Sequence, residues 1–150
     1  MISRLSVREV DRLLREHLHT TPSVRCPLGK AAGRVLRQEI LADRDLPPFD
    51  RCMLDGFAVR AAEAKLGTVF TRTGRVHAGE PSMPLDSSLG SAIEIMTGSS
   101  LPTGADAVIP YEWTHSIDDD HVRFEGSETL TAQHGVHPKA SDFPQGTVLL

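Results

Sequence analysis

Three short stretches hold residue types able to bind an anion or a cation. The first, Asp50-Arg51-Cys52-Met53-Leu54-Asp55-Gly56, follows Pro47-Pro48. Each proline fixes φ and removes a backbone donor, which stiffens the approach. The stretch delivers Asp55 beside Gly56, a residue that lets backbone come close to a ligand. Asp55 there suits a metal ion or a substrate donor; an Asp-Gly pair is equally the material of an ordinary turn. The second stretch is Met96-Thr97-Gly98-Ser99-Ser100, running on to Leu101-Pro102-Thr103-Gly104-Ala105-Asp106. Its hydroxyls and N–H groups could cradle an oxyanion in a nest, or form a plain Gly/Ser turn. It lacks the Gly-Lys-Ser/Thr ending of a nucleotide-binding P-loop. The third is His134-Gly135-Val136-His137-Pro138-Lys139-Ala140-Ser141-Asp142. Here Lys139 could meet a phosphate as a point charge, or the whole stretch could be a solvated loop.

Other chemistries are excluded or unsupported. There is no G-x-S-x-G elbow and no H-E-x-x-H helix. Cys26 and Cys52 do not form a C-x-x-C pair, so the strong zinc signal is missing and both read as ordinary thiols. A net charge of −4 argues against a dominant nucleic-acid role, which needs a basic face. No apolar run approaches the length that spans a bilayer. Met1-Ile2-Ser3-Arg4-Leu5 leads into no apolar core, so it does not read as a secretory signal, and a cytoplasmic location is expected.

The elements that must position these stretches begin with a helix. Ser6 is a good N-cap, Glu9 completes a capping box, and Val7, Val10, Leu13, Leu14 and Leu18 fall on one stripe. Thr20-Thr21-Pro22-Ser23 breaks it. A second short helix is expected from Pro27, with Leu28, Ala31, Ala32, Val35 and Leu36 as its apolar positions and Gly29 and Gly33 weakening it. The period then changes to short strands: Glu39–Ala42, Phe57–Arg60, Thr68–Val76, Ala92–Met96, Ala107–Ile109, Val122–Phe124 and Gly146–Leu150. Asp118-Asp119-Asp120-His121 reads as a hairpin turn. Short strands at this spacing suggest an antiparallel sheet or small barrel. The fold class is therefore α+β and mostly β. In 150 residues there is room for one domain or two small ones.

Several motifs carry a family resemblance, and they occur in family order over nearly the whole chain. Pro27-Leu28-Gly29-Lys30-Ala31-Ala32-Gly33-Arg34-Val35-Leu36 is similar to the "L…GRVL" segment of the MoeA and gephyrin E-domain proteins. Asp45-Leu46-Pro47-Pro48-Phe49-Asp50 resembles their "D-x-P-x-F-D/N" element, and Leu54-Asp55-Gly56-Phe57-Ala58-Val59 their "M-D-G-Y/F-A-V". Ala78-Gly79-Glu80-Pro81 resembles an "A-G-x-P" loop. Ile95-Met96-Thr97-Gly98 with Leu101–Ile109 resembles "I-M-T-G…P-x-G-A-D-A-V-V".

The resemblance implies a helix-and-strand domain, residues 1–43 plus 137–150, interrupted by an inserted, barrel-like β-rich domain, residues 44–136. It implies molybdopterin molybdotransferase activity: molybdenum from molybdate enters adenylated molybdopterin, AMP leaves, and Mg2+ assists. The family's cleft lies between this β domain and an α/β domain of the other subunit, so a homodimer is implied for a full-length protein, with no nucleic-acid or membrane partner. By motif position, Asp55, Thr97 and Asp142 would be catalytic. Asp55 and Asp142 would position Mg2+ or pterin donors, and Thr97 would donate to a ligand oxygen. Gly56, Gly98, Ser99 and Lys139 would contact substrate, with Lys139 near phosphate or molybdate.

The chain also departs from the family pattern. Ser-Ala-Met before Asp-Gly is replaced by Cys52-Met53-Leu54, "G-E-D" by Ala140-Ser141-Asp142, and the preceding arginines by His137-Pro138-Lys139. The family's α/β and C-terminal β domains would follow Leu150, so the apolar run ending there is expected of a fragment, and the 150 residues alone are expected to be inactive. The alternative reading is a free-standing or degenerate binding or dimerisation module.

Overall fold

A computed structural model describes residues 4–126 and 129–150; Met1-Ile2-Ser3, part of the segment read as no leader, lie outside the described residues. The chain divides into two compact units, Met1–Glu39 and Ile40–Leu150. In the first unit, α1 spans Val7–His17 with the expected capping box: the Ser6 side chain takes the Glu9 N–H, and the Glu9 carboxylate takes the Ser6 N–H. Of its apolar stripe, Val7, Val10, Leu14 and Leu18 are exposed and Leu13 is half-buried. The second helix is much shorter than its apolar spacing suggested. Only a 3-10 turn, Leu28–Lys30, forms. Gly29 weakens it, and Gly33 adopts φ 77°, a left-handed conformation that ends helices rather than extending them.

The second unit is built on a mixed six-stranded sheet curled into a half-barrel. Its strands are β2 (Gly56–Val59), β3 (Val69–Val76), β4 (Ser91–Ile95), β5 (Ala107–Pro110), β6 (Thr114–Ser116) and β7 (His121–Phe124). They lie in the order β5-β2-β4-β3-β7-β6. All neighbours are antiparallel except β3 and β4. Strands β2, β4 and β5 are buried throughout, which explains the apolar runs of β2 and β5 and the mostly apolar β4, where Ser91 and Glu94 are the polar exceptions. Alternate residues feed two cores. Phe57, Val59, Phe70, Ala92, Ile109 and Phe124 form one. Ala58, Ile93, Ile95 and Val108, with Cys52 and Val76, form the other. Such alternation is the period-2 geometry of a strand expressed on a sheet covered on both faces.

Three short strands escaped the sequence reading: β6 in the sheet, and β1 (Arg51–Cys52) and β8 (Val136–His137), which pair with each other. This pair belongs to a longer ribbon in which the outgoing and returning chain run antiparallel: Leu41 faces Val148, Leu46 faces Phe143 and Cys52 faces Val136. The strands expected at Glu39–Ala42 and Gly146–Leu150 shrink to the isolated bridge Leu41–Val148 at the far end of this ribbon. They are joined by N–H···O bonds such as Ala42 to Thr147 (2.8 Å) and Leu149 to Ile40 (2.7 Å). The expected hairpin turn at Asp118–His121 connects β6 and β7, with the Asp118 carboxylate accepting the N–H groups of Asp120 and His121.

Candidate functional site

Asp55 lies in the turn between β1 and β2, and Thr97 in the turn that follows β4. Because β2 pairs with β4 in a register that sets Gly56 opposite Ile95, these two turns emerge side by side. Thr97 donates both its N–H (2.6 Å) and its hydroxyl (2.8 Å) to the same oxygen, Oδ1 of Asp55. The Thr97 N–H and then its hydroxyl hold the Asp55 carboxyl below the ordinary carboxylate range, so the group is ionised at neutral pH. Both residues are exposed. Among the described residues nothing donates to Oδ2, which is left as a hard anionic oxygen on an exposed residue. The Thr97 hydroxyl proton is committed to Asp55, so in this state Thr97 presents lone pairs to a ligand.

The rest of the Thr-Gly-Ser-Ser turn stitches the sheet to β1. Gly98 donates its N–H to the Cys52 carbonyl (2.9 Å), and Cys52 donates its own to Ser99 (2.9 Å). The Ser99 N–H (3.0 Å) and hydroxyl (2.5 Å) both go to the Met96 carbonyl, and Ser99 is buried. The donors of Thr97, Gly98 and Ser99 are thus already used. Gly98, at φ 89°, makes the turn possible. Gly56 has a packing reason: a Cβ there would overlap the carbonyl oxygen of Ile109 on β5.

Lys139 and Asp142 sit in a separate loop, held down by the Pro-rich segment. Lys139 donates its N–H to Asp50 (2.8 Å) and places Nζ 3.3 Å from Asp45 Oδ2. Asp142 donates its N–H to the Leu46 carbonyl (2.9 Å), and its Oδ1 lies 2.8 Å from His137 Nε2. Ala140, where the family resemblance leads one to expect glycine, sits at φ 61° and donates to the Pro47 carbonyl (3.0 Å). The loop has kept a glycine conformation without the glycine. No hydrogen bond or ion pair joins the Asp55–Thr97 pair to the Lys139–Asp142 loop among the described residues. Nor do three His, Cys, Asp or Glu side chains converge there on one point.

Sequence reasoning missed a polar cluster next to the Asp55–Thr97 pair. Glu94 on β4 is buried. Its Oε2 accepts from Arg72 (2.9 Å) and from Arg75 (2.8 Å), and its Oε1 accepts from the Tyr111 hydroxyl (2.7 Å). Burial alone would raise the Glu94 carboxyl, but these donors outweigh it and hold the carboxyl low. Burial, then the bond to Glu94, pushes the Tyr111 phenol above its ordinary range. The only sequence signal was a charged residue inside an otherwise apolar strand.

The chain matches the family described as the MoeA N-terminal region (domain I and II) over residues 5–150. It is 37% identical over 147 residues to the molybdopterin molybdenumtransferase of Synechocystis, a match covering 97% of this chain and 37% of that protein. It is 29% identical over 145 residues to the enzyme of the same name from Staphylococcus aureus strain MRSA252, covering 85% of this chain and 34% of that one. A solved molybdopterin biosynthesis moeA protein from Pyrococcus horikoshii OT3 superposes with a TM-score of 0.73 at 31% identity, covering 83% of this chain and 33% of that one. The chain thus spans about a third of the length of the curated relatives it matches.

Proposed function

Since the chain belongs to the MoeA N-terminal family, we propose that it is the substrate-contacting N-terminal part of a molybdopterin molybdotransferase, acting in a longer protein that inserts molybdenum from molybdate into adenylated molybdopterin. The observation that carries this reading is the Asp55–Thr97 pair: an exposed, ionised carboxylate with one oxygen fixed by two donors and the other without a donor among the described residues. Such a group can hold a cation or accept from a pterin N–H without reorganising.

Mg2+ fits this donor chemistry. It takes hard oxygens, keeps several waters, and is usually held by one or two carboxylates plus substrate phosphates, so a full protein cage is not needed. Asp55 Oδ2 would be one ligand and an oxygen of Asp142 another. Bound there, Mg2+ would neutralise phosphate charge. Lys139 would leave Asp45 to meet a phosphate or molybdate oxygen. Gly56, Gly98 and Ser99 would serve substrate through the backbone they shape. The exposed apolar residues of α1 support a homodimer in the full-length protein.

The ribbon from Leu41 to Cys52 and back through Val136 to Val148 supports a division in which residues 44–136 are inserted between 1–43 and 137–150, because an insertion must leave and re-enter its host side by side. A cytoplasmic location is part of the same proposal; no helix among the described residues is long and apolar enough to cross a membrane. The test is a chimera in which this chain replaces the matching N-terminal third of the Synechocystis relative. The reading requires molybdenum insertion by the chimera. A folded chimera that binds no adenylated molybdopterin would favour the module without activity.

A further inference from the structure

The Asp55–Thr97 pair is one side of a closed polar ring. Starting from Asp55, its backbone carbonyl accepts the N–H of Tyr111 (3.2 Å). The phenol of Tyr111 donates to Glu94 Oε1 (2.7 Å). Glu94 leads along β4 and its exit turn to Thr97, which returns two donors to the Asp55 carboxylate. Every side of this ring other than the pair itself is held from behind. Glu94 Oε2 is fixed by Arg72 and Arg75, so Oε1 has one orientation, and Tyr111 is its donor. The Tyr111 ring stands edge-on to Phe57, 5.4 Å between centroids at 88°, and Phe57 lies opposite Glu94 across β2 and β4.

The pair needs such a brace. Asp55 is exposed, and at 3.2 Å its carbonyl bond to Tyr111 is at the long end of the normal range. An exposed aspartate held by one loop would sample several rotamers, and ordering it at each binding event would weaken binding. We propose that Tyr111 is a positioning residue for Asp55, with its hydroxyl anchored on Glu94 so that the backbone N–H of Tyr111 fixes the turn from which Asp55 meets Thr97. The inference rests on the reading of Asp55 and Thr97 as the ligand contact, but its test needs no ligand. A failure here leaves that reading standing, and a failure of that reading leaves this result intact.

The test is amide proton NMR of the 150-residue chain. Asp55→Asn weakens the acceptor of the Thr97 N–H and calibrates the upfield displacement of that amide signal. Tyr111→Phe removes only the hydroxyl and keeps the ring against Phe57. It is expected to move the Thr97 amide upfield by part of that displacement, because the turn carrying Asp55 is no longer fixed from Tyr111. Signals of Arg60 and Gly90, whose Nε–H and backbone N–H both meet the Glu63 carboxylate beyond the other ends of β2 and β4, should stay in place. Glu94→Gln, which keeps the shape and weakens the acceptor, should move Thr97 in the same direction and by less; it decides the matter if Tyr111→Phe does not fold. A Thr97 amide unmoved in the folded variant overturns the inference. Shifts spread evenly over β2, β4 and β5 overturn it too, because Tyr111 would then be supporting the sheet and not the pair.

Discussion

Thr97 gives Asp55 two donors on one oxygen: its N–H at 2.6 Å and its hydroxyl at 2.8 Å both reach Oδ1. This leaves the second carboxylate oxygen without a donor among the described residues and ties the charge state of Asp55 to Thr97. The folded carboxyl titrates below its ordinary value of about 3.9. A depressed carboxylate contributes stability that is fully present above the unfolded value and is lost as pH falls through the folded one. Thr97→Val removes the hydroxyl and should bring the Asp55 midpoint up toward the ordinary value, read by carbon NMR titration. An unchanged midpoint would show that the hydroxyl does not contribute and that the N–H of residue 97 alone holds the carboxyl low.

Ala140 adopts φ 61°. A left-handed conformation costs an L-residue about 1–2 kcal/mol, and glycine avoids that strain at some loss of unfolded-state entropy. Ala140→Gly should therefore raise stability by about 0.5–1 kcal/mol in urea denaturation, with the slope unchanged. A loss of stability would mean that the loop relaxes the strain elsewhere.

Gly56 tolerates no side chain, because a Cβ would overlap the Ile109 carbonyl in the middle of a sheet buried on both faces. Gly56→Ala should destabilise by about 3 kcal/mol, the upper part of the usual range for overpacking. Thermal unfolding followed by circular dichroism would check it.

The two cysteines should differ in reactivity. Cys52 is buried in the core, and that burial pushes its thiol up to about 11, so little thiolate exists at pH 8. Cys26 is exposed. A thiol reagent should label one cysteine quickly in the native chain and both in guanidinium.

Most of the strand positions were legible because the sheet is covered on both faces, which turns β2 and β5, and β4 apart from Ser91 and Glu94, into short apolar runs. The helix was legible from Ser6, Glu9 and its stripe. The two-residue strands β1 and β8 were not: their pairing joins residues such as Cys52 and Val136, far apart in sequence, and no period shows in two residues. At the site, Asp55 and Thr97 were both singled out, but the bond between them depends on the β2–β4 register. Glu94 went unnoticed because alone it reads as a residue of a strand, and Tyr111, in the 3-10 turn after β5, because nothing local ties it to Glu94. Gly98 and Ser99 looked like donors for an anion, yet their donors close on Cys52 and Met96.

The most direct test of the account is kcat/KM for molybdenum insertion by a chimera of this chain and the remaining two-thirds of the Synechocystis relative, compared with its Asp55→Asn form. The substitution keeps the shape and removes the charge. A loss on the order of 100-fold is expected if the second oxygen of Asp55 acts on substrate or Mg2+ as proposed. A folded Asp55→Asn chimera with wild-type kcat/KM would contradict the account at its centre.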